Sequence, residues 1–343
     1  MRVVSALVAT FLVACSSAEP EEPTDGEAAV VAADSFEVVD RVETQGAVSP
    51  AWSLGPDGRA WVANGTAFGL IGKTPGYTAE GALNITASYV DASAATLLLG
   101  VLHPKIVKVD LATAKASTLL PAFDSPATLH RGAMAVDATG AYFVGTPNSD
   151  DATGDLWRVT AGGPPTLVAR DLWAPRPGST CDLFLMLDAS SVFAIQACDA
   201  GSEIVQVPKA GGSPHVIAGH AGIIRSAALT SDAIVYTSDS ELVRIPKTGG
   251  ARTLTRSSMF DTVAADGTDI LYVDASGREK VTLWRQPSAG GAPQPLVTLS
   301  AVTAGMTLRA RAILPAKDAI YVAVAEGSSR TERWVHQLIK VRR

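Results

Sequence analysis

The sequence predicts an all-β fold built from repeated four-stranded units, and three observations carry that expectation. A phrase of alternating residues, a Gly-Gly turn and a second alternating run occurs four times: Leu156–Ala169, Ile204–Ala218, Leu242–Arg256 and Leu283–Thr298. The third copy reads L-V-R-I-P-K-T-G-G-A-R-T-L-T-R. Between copies, a small-residue apolar strand turns at an Asp-bearing segment into a strand rich in Tyr, Phe or Trp, and alternation of this kind is the period of a β-strand. The repeat length, about 40–50 residues, is that of propeller blades. Four strands cannot bury both faces alone, so the units must stack, and radial stacking closes a β-propeller. A β-sandwich would not explain the recurrence of one hairpin phrase per unit.

Composition agrees with a large folded domain. The chain has 343 residues, of which 47% are hydrophobic and 18% charged. Its net charge of −6 argues against a nucleic-acid partner, which needs a basic face. Length alone would suggest about two domains, but one propeller accounts for all of residues 35–343.

The first residues read as an export signal. Met1-Arg2 is a short positive start, and Val3–Ala14 is a mostly apolar run too short to span a bilayer. It ends in Leu12-Val13-Ala14-Cys15. That sequence resembles the lipobox of bacterial lipoproteins, which implies cleavage after residue 14 and lipidation of Cys15. Ser16-Ser17 rather than Asp follows, which in a Gram-negative host resembles the pattern sent to the outer membrane. Residues 15–34, rich in Glu, Pro, Ala and Ser, read as a disordered tether. The expected location is therefore the cell envelope, with the membrane reached through the lipid.

Seven strand sets follow. Unit one (residues 50–78) turns at Gly55-Pro56-Asp57-Gly58, a strong turn signal, with Trp61 behind it. Unit two pairs Ile85–Val90 with Thr96–Leu102. Its third strand, Ile106–Asp110, lacks the Gly pair. Units three to six place their turns at Asp137, Asp188, Asp232 and Asp266. Unit seven runs Arg309–Leu314, Ile320–Val324 and Trp334–Val341, and stands one strand short. Ser35–Thr44 is a strand without a unit. It is expected to complete the last blade, with Phe36, Val38 or Val39, and Val42 alongside Trp334–Val341, because closure removes an exposed sheet edge.

Tyr236-Thr237-Ser238-Asp239 and Tyr272-Val273-Asp274 are degenerate forms of the Tyr-Trp-Thr-Asp repeat. The units thus resemble Tyr-Trp-Thr-Asp propellers and the TolB-like periplasmic propellers. These families usually have six blades, so six is the alternative to the seven counted here. The resemblance implies architecture and no activity.

Two cysteines remain once Cys15 is assigned to lipid. Leu187 opposite Val192 sets a hairpin register that puts Cys181 opposite Cys198, within disulfide reach, and an exported chain meets an oxidising compartment.

Catalytic motifs are lacking. There is no G-x-S-x-G elbow, and no Gly pair forms a nucleotide-binding loop. His215 and His220 match no zinc spacing, and the remaining histidines, His103, His130 and His336, are scattered. Residues 148–155 are acidic but lack the EF-hand order. The recurrent turn aspartates Asp57, Asp91, Asp137, Asp188 and Asp266 read as caps of their own turns. No catalytic residue, metal or cofactor is expected.

One constellation stands out. Where each inner strand enters the channel, successive units present Trp52, Asn84, Arg131, Asp182, Arg225, Asp261 and the pair Arg309 and Arg311. These side chains either bind a polar ligand at the channel mouth or pair between neighbouring blades and lock them. The expected function is non-enzymatic binding or scaffolding, by a monomer, of an envelope protein or a polar small molecule. The alternative is a propeller enzyme, a lyase or lactonase, with a polar site on the channel.

Overall fold

The computed structural model describes residues 36–45, 50–55, 57–64, 67–71, 73, 77–78, 85–90, 95–100, 105–113, 115–120, 134–145, 153–160, 163–174, 181–250, 252–256, 259–275, 277–328 and 333–343. Cys15, residues 15–34, Asn84, Asp91, His103, Arg131, His130 and residues 148–152 lie outside these.

The described strands form seven four-stranded antiparallel sheets. Blade 1 comprises Ala51–Leu54, Ala60–Asn64, Ala67–Leu70 and Tyr77–Thr78, and blade 2 comprises Ile85–Val90, Ala95–Gly100, Lys105–Asp110 and Lys115–Leu120. Blade 3 comprises Met134–Asp137, Gly140–Gly145, Gly154–Val159 and Thr166–Trp173. Blade 4 comprises Cys181–Leu187, Ser191–Cys198, Gly201–Pro208 and His215–His220. Blade 5 comprises Ser226–Leu229, Ala233–Thr237, Glu241–Pro246 and Arg252–Arg256. Blade 6 comprises Phe260–Asp266, Asp269–Asp274, Lys280–Pro287 and Gln294–Ser300. Blade 7 comprises Thr307–Pro315, Ala319–Ser328 and Arg333–Arg342, with Phe36–Gln45 as its outermost strand. The first strand of each blade adjoins the first strand of the next, and blade 7 adjoins blade 1, so the seven blades close a ring.

The Gly-Gly phrase makes the outer hairpin of blades 4, 5 and 6. Gly211 and Gly212 (φ 94° and 142°) and Gly249 and Gly250 (φ 102° and 82°) occupy backbone that side chains disfavour, which is why the phrase needs glycine there. Blades 2 to 6 each carry a register shift between third and fourth strand, at Ile106/Val107, Leu156/Trp157, Ile204/Val205, Leu242/Val243 and Leu283/Trp284. Blade 2 keeps it without the Gly pair.

The core is divided among the blade interfaces. In the second strand of blade 4, Phe193, Ile195 and Ala197 pack toward blade 5, while Val192 and Ala194 pack toward blade 3. In blade 5, Ile234 and Tyr236 face blade 4, and Val235 faces blade 6. Both faces of each sheet are therefore buried against neighbours, and period-two alternation distributes side chains between two cores. The interface between blades 7 and 1 holds Trp52, Ala60, Ala323 and Leu338.

Polar links reinforce these interfaces. The Lys of the Pro-Lys-x-Gly-Gly turn reaches back to the preceding blade. The Lys209 ammonium pairs with Asp137 of blade 3, and that of Lys247 donates to Asp188 of blade 4 at 3.1 Å. Each lies over an aromatic ring of the preceding blade, Tyr142 and Phe193. Arg343 of blade 7 reaches Asp266 of blade 6 at 2.6 Å.

The clasp forms as expected, with Phe36–Gln45 as the outer strand alongside Arg333–Arg342. Phe36 lies opposite Val341, Val38 opposite Ile339 and Val42 opposite His336, all antiparallel. A register shift between Val38 and Asp40 leaves Val39 without a cross-strand partner. Its side chain packs instead against the core between blades 7 and 1.

Cys181 and Cys198 lie opposite one another and form a disulfide, with Cα atoms 4.1 Å apart. Turn aspartates behave mostly as local caps. Asp137 accepts from the Thr139 amide at 2.7 Å, Asp57 from the Arg59 amide at 3.0 Å, and Asp188 from the amides of Ser190 (2.9 Å) and Ser191 (2.8 Å). Asp266 differs: its recorded partners are Arg343 and Arg285, so it links strands and blades.

Candidate functional site: a charged cavity on the ring axis

The inner strands of blades 4 to 7 surround a cavity of about 550 Å³ at one end of the channel. Five of the eight sequence-predicted residues line it: Asp182, Arg225, Asp261, Arg309 and Arg311. Trp52 does not. It is 8% exposed in the core between blades 7 and 1, and its indole N–H donates to Asp40 at 3.3 Å.

Backbone irregularities aim two of these side chains. Asp261 falls at a register shift between Phe260 and Thr262, and Arg311 at one between Ala310 and Ala312. A bulge re-aims the residue it frees from the ladder. Alternation alone would set Arg309, Arg311 and Ile313 on one face; the shift at Arg311 leaves the two arginines on the cavity and turns Ile313 to the core shared with Leu308 and Ala310.

Asp261 is held from two sides. Arg309 Nη1 donates to it at 3.2 Å and the Ala310 amide at 2.9 Å. Burial raises its pKa above the usual carboxylate value, although Ala310, Arg309 and Arg311 all favour the charged form. Arg225 pairs with Asp239, beyond the cavity lining, at 2.5 Å. The bond between blades 6 and 7 is thus of the locking kind, and the Arg225 bond lies within blade 5.

Asp182 and Arg311 are different. Among the described residues, neither makes an ion pair or side-chain hydrogen bond. Asp182 stands beside the disulfide, one residue into the strand that Cys181 begins. Arg311 lies 5.7 Å over the Trp334 ring, a cation–π arrangement. Its guanidinium opens to the cavity, yet protein surrounds it closely enough that burial lowers its pKa, Asp261 opposing and Arg309 adding to that effect.

Sequence reasoning missed Trp334 as a lining residue. It comes from the third strand of blade 7, and only the register places it opposite Gly327. That glycine is required: a Cβ there would fall 2.6 Å from the Trp334 ring. Other candidates remain apart. His215 is exposed, and His220 packs edge-on to Tyr236 with ring centroids 5.4 Å apart.

The architecture is that of a β-propeller. The solved structures similar to it include virginiamycin B lyase from Staphylococcus aureus, at 12% identity and a TM-score of 0.60, the match covering 88% of this chain and 100% of that one. YCF48 from Cyanidioschyzon merolae is similar at 14% identity and a TM-score of 0.57, covering 88% and 98%. Sqt1 from Saccharomyces cerevisiae is similar at 12% identity and a TM-score of 0.53, covering 85% and 83%. At these identities the likeness is one of fold. No protein-family model and no curated protein sequence matches the chain.

Proposed function

We propose that the protein is a lipid-anchored binding protein of the bacterial cell envelope, which takes a polar small molecule into its axial cavity and releases it unchanged. The observation that carries this reading is the convergence of Asp182, Arg225, Asp261, Arg309 and Arg311, from four blades, on one cavity beside Trp334. Its volume falls within the range of about 300–1,000 Å³ common to small-molecule pockets. Leu12-Val13-Ala14-Cys15 supports the anchor and Ser16-Ser17 an outer-membrane destination. The degenerate Tyr-Thr-Ser-Asp phrase at residues 236–239 supports kinship with TolB-like or Tyr-Trp-Thr-Asp propellers.

The test is retention. Purified protein is equilibrated with a metabolite extract of envelope, washed, and its bound compounds identified by mass spectrometry. A Thr307→Trp variant, which fills the cavity from its lining, is treated alike. Selective retention by the parent protein supports the reading, and identical retention by both overturns it. Cys15→Ser should leave the chain without lipid, and a diacylated Ser variant would overturn the anchor.

A further inference from the structure

Resting on that binding reading, we propose that the ligand is a zwitterion, an amino acid or a short peptide, whose carboxylate is taken by Arg311 and whose ammonium is taken by Asp182. The argument is one of charge accounting around the cavity. Arg309 and Asp261 satisfy one another across the interface between blades 6 and 7. Arg225 is satisfied by Asp239. One cation and one anion remain without an ion-pair partner among the described residues, and they come from different blades, 7 and 4. Both line the same space.

A purely anionic ligand would answer Arg311 and bring its charge against Asp182. A purely cationic one would do the reverse. A ligand with one charge of each sign answers both. Arginine suits the carboxylate end, because its planar fork presents two parallel donors to two oxygens. The Trp334 ring lies 5.7 Å from the Arg311 guanidinium carbon, beside that fork. Phe184, Ile223 and Met259 supply apolar wall for a side chain. The disulfide next to Asp182 holds the ammonium end, because it ties that strand to its neighbour at the register position adjoining Asp182.

Isothermal titration calorimetry on the full chain at low ionic strength tests this. The probes are L-phenylalanine and L-alanyl-L-phenylalanine, each with its C-terminal amide and its N-acetyl derivative. Benzoate, benzylamine and benzamide complete the series. At least one zwitterion should bind, with its amide and its N-acetyl form each at least about tenfold weaker, the scale of one lost charge-assisted hydrogen bond. Arg311→Gln should abolish the preference over the amide alone, and Asp182→Asn the preference over the N-acetyl form alone. Among the described residues neither side chain makes an ion pair, so melting temperatures should stay within a few degrees of the parent's, Arg311→Gln losing only the contact with the Trp334 ring, and report that both variants are folded. Equal binding of amide, N-acetyl and free forms overturns the inference, as does binding of benzoate or benzylamine while the zwitterions stay silent. Silence from every probe, with Thr307-dependent retention of extract compounds intact, overturns the zwitterion and leaves the binding reading standing. Loss of that retention as well overturns both.

Discussion

His336 is the residue on which acid sensitivity should turn. It is 2% exposed, in the last strand, opposite Val42 of the clasp. Its Nε2 lies 3.0 Å from Thr44 Oγ1, while Nδ1 is buried without a hydrogen-bond partner. Protonation would add a charge and an unsatisfied N–H there, beside Trp52 and near Arg311. Burial first, and Arg311 second, push its pKa down from 6.5 to about 4. The unfolded chain then takes up a proton near pH 6.5 that the folded chain refuses until about pH 4. Stability is full above that window and falls as pH is lowered through it, by a total on the order of 3 kcal/mol. Urea unfolding at pH 7, 5.5 and 4 should show this loss in the parent protein and its absence in His336→Gln. Parallel pH dependences would place the acid-labile group elsewhere. Asp137 and Asp188 act in a separate window. Burial alone would raise them, but Lys209 and Thr139 around Asp137, and the amides of Ser190 and Ser191 with Lys247 around Asp188, hold both below the usual carboxylate value. Their contribution is present above the ordinary carboxylate pKa and is lost only as pH falls through their lowered values.

At the scale of elements, the hairpin of blade 4 is where sequence and structure meet most closely. Seven consecutive pairs run from Leu187–Val192 to Cys181–Cys198, and the register was legible because the turn between the strands, Asp188 to Ser191, is short. The disulfide closes a loop with a sequence separation of 17, for which the chain-entropy model gives about 3 kcal/mol. A Cys181→Ser, Cys198→Ser double variant should therefore unfold at lower urea, with a denaturant slope somewhat steeper because the uncrosslinked unfolded chain is less compact. An unchanged midpoint would mean that the bond adds nothing to the fold. Other contacts were not legible, for a physical reason. Lys209 and Asp137 are separated by 72 positions, and Lys247 and Asp188 by 59. No local spacing encodes such a pair, although the recurrent Lys of the turn was in view. The bulges at Asp261 and Arg311 are likewise silent in sequence. The mouth residues of blades 4 to 7 lie along one cavity because each stands near the start of the inner strand of its repeat. Trp52 stands apart, its large apolar ring drawn into the core between blades 7 and 1.

For the whole molecule, the decisive join is that of Phe36–Gln45 to Arg333–Arg342. Without it the third strand of blade 7 would present an open edge, a template for pairing with another chain. Deleting residues 16–34 leaves every described strand in place and should barely move the melting temperature. Extending the deletion through Thr44 should lower it by several degrees or more, on the order of the loss of one packed strand, and promote aggregation. Equal melting temperatures would show that the clasp carries no stability. The join also orders events in time. Of the described strands, the first to leave the ribosome pairs with the last, so blades 1 to 6 contain all their strands while the seventh is still being made. Until Arg342 has emerged, the nascent chain holds an incomplete ring, and the step that ends its folding has the longest loop to close. The ring therefore stays open, and its last sheet edge bare, until the two strands that Phe36–Gln45 and Arg333–Arg342 supply have found each other.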